Sequence, residues 1–118
     1  MGDALRIALI GTERLPIPPI RGGAIQVLID GVLLYLARKH QVTVYSTKDS
    51  ELKSRERSGR VEFFRFSGDD YAERVAKALK EARKRGVVYD LVHVFNRPKD
   101  LQLYKSAMPE SRFVLSLH

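Results

Sequence analysis

Residues 5–36 read LRIALIGTERLPIPPIRGGAIQVLIDGVLLYL, and in them a proline-rich loop joins an apolar strand to an apolar helix. The run at 5–11 has the continuous apolar character of a strand that is buried on both faces. The segment 23–40 is apolar on most sides and long enough to be a helix packed into the core. A strand followed by such a helix predicts the first βα unit of a parallel sheet.

The rest of the chain repeats this alternation. Further strand-like runs lie at 41–46, 60–66, 89–96 and 111–118. A second helix is predicted over 69–86, because apolar residues recur there at helical spacing. Those residues are Tyr71, Val75, Ala78, Leu79 and Ala82. A shorter helix is predicted from Pro98 to about Ser106, since proline favours the first turn of a helix.

The ends of the second helix have their own signals. Asp69 or Asp70 is predicted to be its N-cap and Gly86 its C-cap. The adjacent aspartates also invite a metal-binding interpretation. Capping is favoured over metal binding, since a helix needs such a residue at this point.

The alternation predicts an α/β fold: a Rossmann-like, three-layer α/β/α domain over residues 1–118, with a mostly parallel sheet of about five strands. The charged segment 48–60 is predicted to be the most flexible stretch. The sequence stops at His118, at the end of the last strand and before any covering helix. We therefore expect a truncated architecture.

Composition excludes several classes of protein. The chain has 118 residues, 44% of them hydrophobic and 30% charged, and it contains no cysteine, which rules out disulfides and thiolate metal sites. No apolar run approaches the roughly 20 residues that span a bilayer, and the N-terminus has no signal-peptide pattern. We expect a cytoplasmic protein. The net charge of +7 favours an anionic partner, although acids are interspersed with the bases in the two charged segments, 48–60 and 77–86.

The first loop lacks the standard nucleotide-binding motifs. It has neither the G-x-G-x-x-G of dinucleotide sites nor the glycine-lysine-hydroxyl sequence of a P-loop. Gly22 and Gly23 instead begin a helix, whose bare N-terminus can bind a phosphate or carboxylate group, and Arg21 adds positive charge. The alternative is that the glycines only permit a tight turn.

Three stretches closely resemble the N-terminal domain of family 4 glycosyltransferases, retaining enzymes of the GT-B fold, including the spore-coat glycosyltransferase-like group. They are ALIGTERLPIPPIRGGAIQVLIDGVLLYLARKHQVTVYS, YDLVHVFNRP and VLSLH. The resemblance implies two Rossmann-like domains that face each other across a cleft. It also implies that the C-terminal domain, which binds the nucleotide sugar, is absent from this sequence. The chain would then be half of an enzyme that is inactive alone.

The resemblance also assigns roles to residues. It implies that Gly22 and Gly23 face the donor diphosphate without a metal ion or other cofactor. His118 matches the family histidine that approaches the transferred sugar, whereas Phe95 departs from the second histidine of many relatives. This departure leaves the acceptor contacts open.

Position in the predicted sheet suggests further site residues. Asn96 and Arg97 end a strand beside the first one and should reach the same crevice. Arg97 could bind an anionic acceptor or a product phosphate, or it could be a surface arginine. Glu13 could position an acceptor hydroxyl, or it could be a solvated acid.

A different class of function stays open. The chain could be a stand-alone basic module that binds nucleic acid or an anionic membrane. Its residues would be Lys77, Lys80, Arg83, Lys84 and Arg85. Nucleic acid is disfavoured because the aromatic residues and groove-reading motifs of such binders are missing. The same basic helix could also hold a glycosyltransferase against anionic lipid. The sugar, nucleotide and acceptor are not specified by these residues.

Overall fold

The computed structural model of the chain describes residues 3–118. Within them lie six strands and three α-helices, in the order expected for an α/β domain. The strands are β1 Arg6–Ile10, β2 Gln41–Thr47, β3 Arg55–Ser58, β4 Val61–Phe66, β5 Leu91–Phe95 and β6 Arg112–Ser116. The helices are α1 Ala24–Leu36, α2 Tyr71–Lys84 and α3 Leu101–Ala107, and a single 3₁₀ turn, Pro98–Asp100, leads into α3.

The strands form one sheet in the order β3-β4-β2-β1-β5-β6. All neighbouring strands run parallel except β3 and β4, which are antiparallel. Helix α1 covers one face of the sheet, where Ile29 packs in the same cluster as Leu9. Helices α2 and α3 cover the other face, where Leu79 clusters with Ile10. These features confirm the predicted three-layer α/β fold with a mostly parallel sheet.

The segment 48–60 differs from its prediction as a flexible loop. Its second half is strand β3, which pairs with β4 so that Arg57 stands opposite Glu62. The sequence of β3, RERS, has no apolar residue, because the strand forms the edge of the sheet and is largely exposed. Charged side chains are a common way to protect such an edge from pairing with other molecules.

The N-terminus of α2 also differs from expectation. Asp70 occupies the N-cap position, but no side chain makes a capping hydrogen bond there. The Asp70 carboxylate instead accepts a bond of 2.6 Å from Arg74 Nε, one turn along the helix. At the other end, Gly86 follows the helix with a positive φ of 83°, as the predicted C-cap requires.

The parallel arrangement directs the carboxyl ends of β1, β2, β4, β5 and β6 to one edge of the sheet. The loop 11–23 leaves β1 at this edge, and the turn 96–100 leaves β5 beside it. Open α/β sheets bind their ligands at this edge.

Candidate functional site

The proline-rich loop after β1 is fixed to the sheet through the backbone of Ile17. This residue is fully buried. Its N–H donates to Ser46 Oγ at 2.9 Å, and its carbonyl accepts bonds of 3.2 and 3.0 Å from Nε and Nη2 of Arg65. Gly11 leaves the space for it, since a Cβ at that position would stand 2.9 Å from Ile17 Cδ1. The loop therefore has a defined path over the carboxyl ends of β2 and β4.

The N-terminus of α1 is open. Gly23 is the N-cap residue, with φ 99°, and no side chain caps the helix. A Cβ on Gly23 would overlap the side-chain amide of Gln26 and lie 2.8 Å from Leu15 Cδ1. The buried Gln26 amide group donates to Thr12 Oγ1 at 3.4 Å and to the Leu15 carbonyl at 3.3 Å. The first-turn N–H groups of a helix lack intrahelical partners, so this end can bind an anion.

The turn after β5 has a strained backbone. Asn96 and Arg97 both have φ 58°, which lies in the left-handed region that non-glycine residues rarely occupy. Each side chain makes a bond that holds the turn in place. Asn96 Oδ1 accepts from the N–H of His118 at 2.7 Å, and the Arg97 guanidinium donates two bonds to the Glu13 carboxylate. Strain of this kind concentrates at functional sites.

The Glu13–Arg97 ion pair joins the loop after β1 to the turn after β5. Its two N–O distances are 2.8 and 2.9 Å, in the side-by-side geometry that makes such pairs strong. The hydrogen bond from Arg97 lowers the pKa of the Glu13 carboxyl below its ordinary value, and burial opposes this effect. Glu13 is therefore ionised at neutral pH, and Arg97 is part of a fixed pair.

Two adjoining cavities lie at this edge, and Asn96 and Arg97 line both. One, of about 300 Å³, also includes Gly23, Gln26 and Arg14. The other, of about 400 Å³, is lined by Asn96, Arg97, Pro98, Lys99 and His118. The structure thus brings Gly23, Asn96, Arg97 and His118 together along one crevice, with Glu13 attached to it through Arg97.

Two predicted residues are placed differently. Gly22 uses its N–H in a turn, donating to the Pro19 carbonyl at 3.0 Å. Arg21 pairs with Asp49 at 3.0 Å and with Glu51 at 2.6 Å, which raises the pKa of its guanidinium. Arg21 is therefore not the unneutralised positive charge that the sequence suggested, because two carboxylates from the segment after β2 surround it.

No protein-family model matches the chain. Over 114 residues it is 43% identical to the Bacillus subtilis (strain 168) protein named "Putative glycosyltransferase YtcC". The similarity covers 97% of the chain. It is also 44% identical over 114 residues to "Spore coat protein SA" of the same organism. The chain spans 27% and 29% of the lengths of these two proteins.

Several residues of the crevice were not predicted from the sequence. They are Thr12, Arg14, Gln26 and Lys99. Gln26 could have been identified from the sequence, since it is a polar residue in an otherwise apolar stretch of α1. In the structure it is 3% exposed. Lys99 and Arg14 resemble ordinary surface cations in the sequence, and only the meeting of two loops places them beside the site.

A second histidine lies next to the crevice. His93 on β5 bonds through Nε2 to Ser116 Oγ on β6 at 2.6 Å, and its ring stacks on Phe95 at 4.0 Å. Phe95 stacks in turn with His118, at 6.3 Å. Burial, followed by the nearness of His118, lowers the pKa of His93. His93 therefore stays neutral near pH 7 and connects the ends of β5 and β6.

A larger groove, of about 620 Å³, lies between α2 and strands β2 and β4. Its lining includes four aromatic residues, Tyr45, Phe64, Phe66 and Tyr89. The hydroxyl groups of Tyr45 and Tyr89 bond to each other at 2.8 Å. None of the residues predicted for the donor site lines this groove, so its size does not make it the better candidate.

The basic residues predicted for a nucleic-acid or membrane module are all exposed; four lie on α2, and Arg85 directly follows it. One of them, Arg83, is engaged in a bidentate ion pair with Glu110. Helix α1, on the opposite face of the sheet, has a row of exposed apolar side chains. Its members are Val27, Leu28, Leu34 and Tyr35. The basic and apolar surfaces therefore lie on opposite sides of the domain.

Two features are absent from residues 3–118. None of the helices there is both long and apolar enough to cross a membrane. No group of three or more histidine, cysteine, aspartate or glutamate side chains in that part of the chain is arranged to hold a metal ion.

Proposed function

We propose that this chain is an N-terminal part of a retaining glycosyltransferase of family 4 with GT-B architecture. The complete enzyme would transfer a sugar from a nucleotide-sugar donor to a hydroxyl acceptor. The observation that carries the proposal is the meeting of Gly23, the Asn96–Arg97 turn and His118 along one crevice. Similarity over 97% of the chain to a protein named as a glycosyltransferase supports it.

In this proposal the donor diphosphate lies against the N-terminus of α1. Gly23 lets the phosphate oxygens approach the backbone, and the helix dipole stabilises the charge that develops on the departing nucleotide. Arg14 and Lys99 line the crevice on either side of Arg97 and add positive charge. We propose that this leaving-group stabilisation needs no metal ion or other cofactor.

His118 would contact the transferred sugar. Its backbone N–H is bonded to Asn96 Oδ1, and its ring stacks on Phe95, so two residues of the β5 end orient it. A contact that strengthens as the sugar gains positive charge would accelerate transfer more than it strengthens donor binding. The Glu13–Arg97 pair would form the wall nearest the acceptor, with Glu13 available to accept a hydroxyl hydrogen bond.

The other partners follow from the same proposal. A C-terminal domain beyond this sequence would close the cleft and recognise the nucleotide sugar. We propose a cytoplasmic enzyme, whose exposed cations on α2 would allow peripheral contact with anionic lipid.

The proposal is tested by titrating the ¹⁵N-labelled chain with a nucleoside diphosphate. We expect the amides of Gly23 and Ala24 to shift first, with a dissociation constant on the order of millimolar, because one helix end and a few cations supply the binding. Gly23→Val should abolish these shifts. Gly59→Val is the matched control, since Gly59 also has a positive φ but lies in the β3–β4 turn. Shifts confined to residues 77–85 would favour the basic module instead.

A further inference from the structure

Arg65 on β4 is a fully buried arginine, with a side chain that is 0% exposed. All three nitrogens of its guanidinium have a partner. Besides the two bonds to the Ile17 carbonyl, Nη1 donates to the Lys53 carbonyl at 2.8 Å and lies 2.9 Å from Glu56 Oε1. The Phe63 ring covers one face of the group at 4.4 Å. Burying a cation is unfavourable unless it is paired and hydrogen-bonded, so this arrangement needs every one of its partners.

The partners of Arg65 belong to two different parts of the chain. Ile17 lies in the proline-rich loop, whereas Lys53 and Glu56 belong to the charged segment that contains β3. That segment contacts the loop a second time, through the ion pairs of Arg21 with Asp49 and Glu51. The loop is therefore held at residue 17 and at residue 21, on either side of Pro18 and Pro19, immediately before Gly23.

From these contacts we infer that Arg65 is a positioning residue for the anion site at the N-terminus of α1. The inference rests on the proposed function. Arg65 fixes the Ile17 carbonyl, the loop is stiff between its two attachment points, and Leu15 and Gly23 consequently keep their places beside Gln26. A ligand then meets a loop that is already ordered and does not lose affinity in ordering it.

The experiment measures binding of inorganic pyrophosphate to the ¹⁵N-labelled chain and to Arg65→Ala. We expect Arg65→Ala to remain folded but to bind about tenfold more weakly, as the ordering of a loop and its side chains implies. The Ile17 amide should also exchange its hydrogen faster. Arg55→Ala is the matched control, because it removes one cation from the same hairpin, where Arg55 pairs with Glu62. It should bind pyrophosphate like the wild type.

Chemical rescue separates positioning from a general loss of stability. Removing the Arg65 side chain leaves a cavity of guanidinium shape, and added methylguanidinium should restore both affinity and slow Ile17 exchange in Arg65→Ala. It should have no effect on Arg55→Ala. If Arg65→Ala does not fold, Ser46→Ala replaces it, since that variant removes the acceptor of the Ile17 N–H and should weaken binding in the same direction.

The outcomes distinguish the two proposals. Wild-type chain that gives no pyrophosphate shift at Gly23 overturns the proposed anion site. Wild-type chain that binds, with Arg65→Ala or Ser46→Ala binding equally well, overturns the positioning role and leaves the proposed function intact. Rescue that restores stability but not pyrophosphate affinity also overturns the positioning role.

Discussion

Gly22 and Gly23 are adjacent and both have positive φ, but their surroundings differ. A Cβ on Gly22 would meet nothing within 4 Å, whereas one on Gly23 would overlap Gln26 and crowd Leu15. We expect Gly22→Ala to lower the free energy of unfolding by about 1 kcal/mol, the cost of a left-handed residue. Gly23→Ala should cost at least about 2 kcal/mol, because packing strain adds to backbone strain. Urea unfolding of both variants measures the difference in the free energy of unfolding. Equal losses of stability in the two variants would contradict the conclusion that Gly23 is the more closely packed of the two glycines.

His93 gives the domain a pH dependence. Burial lowers its pKa below the ordinary value of 6.5, so the unfolded chain accepts a proton that the folded chain does not. The free energy of unfolding should therefore fall as pH drops below about 6.5, through the pKa of folded His93. His93→Asn should reduce this fall between about pH 7.5 and about pH 5.5. A titration midpoint of the folded His93 ring above 6.5, followed by NMR, would contradict the prediction.

At the scale of the element, α1 has two apolar sides, and only one is packed. Leu33 is 4% exposed and belongs to the core cluster on its face of the sheet, whereas Leu34 is 66% exposed. We expect Leu33→Ala to cost about 2–5 kcal/mol and Leu34→Ala to change stability by no more than about 0.5 kcal/mol. Both substitutions replace leucine by alanine within one helix, so the change in helix propensity is nearly the same in the two variants and does not explain a difference in their stability. A large loss of stability in Leu34→Ala, measured by thermal unfolding, would contradict this prediction, because it would mean that the exposed side of α1 is packed against something.

The elements that the sequence predicted are those with a periodic apolar pattern. Both long helices and the five apolar strands were found within a few residues of their expected bounds. Strand β3 was missed because an exposed edge strand of charged residues has no apolar period, and only its pairing with β4 defines it. Asp69 or Asp70 was predicted to cap α2, and Asp70 does occupy the N-cap position. Its carboxylate makes no capping bond, because Arg74 one turn away binds it instead.

The candidate site was predictable only in part, for a related reason. Parallel strands share one carboxyl edge, so the ends of β1 and β5 could be expected to meet, and Gly23, Asn96 and His118 do lie there. The support of the site depends on contacts between distant residues. Arg65 and Ile17 are 48 positions apart in the sequence, and Arg97 and Glu13 are 84 positions apart. No local sequence pattern predicts hydrogen bonds between residues so far apart.

At the scale of the whole molecule, the elements of the proposed anion site lie along one edge of the sheet, where both cavities are open to solvent. Such an edge can contact one side of a donor, but transfer requires donor and acceptor to be held together in a closed cleft. Positioning of that kind can be worth roughly 7–11 kcal/mol of the barrier. Under the proposed function, the other side of the cleft belongs to a second domain.

We therefore expect the 118-residue chain to show no sugar transfer by itself, even where it binds a diphosphate. In a protein extended past His118 by the second domain, His118→Ala should lower kcat more than it raises KM, since its contact strengthens as the sugar becomes oxocarbenium-like. Gly23→Val should impair both, because its side chain would overlap Gln26 and crowd Leu15 and so displace the backbone that the diphosphate approaches. Nucleotide-sugar turnover of the two variants beside the wild type measures this contrast. Transfer by the short chain alone would contradict the two-sided cleft, and normal turnover of the extended His118→Ala protein would remove His118 from the mechanism.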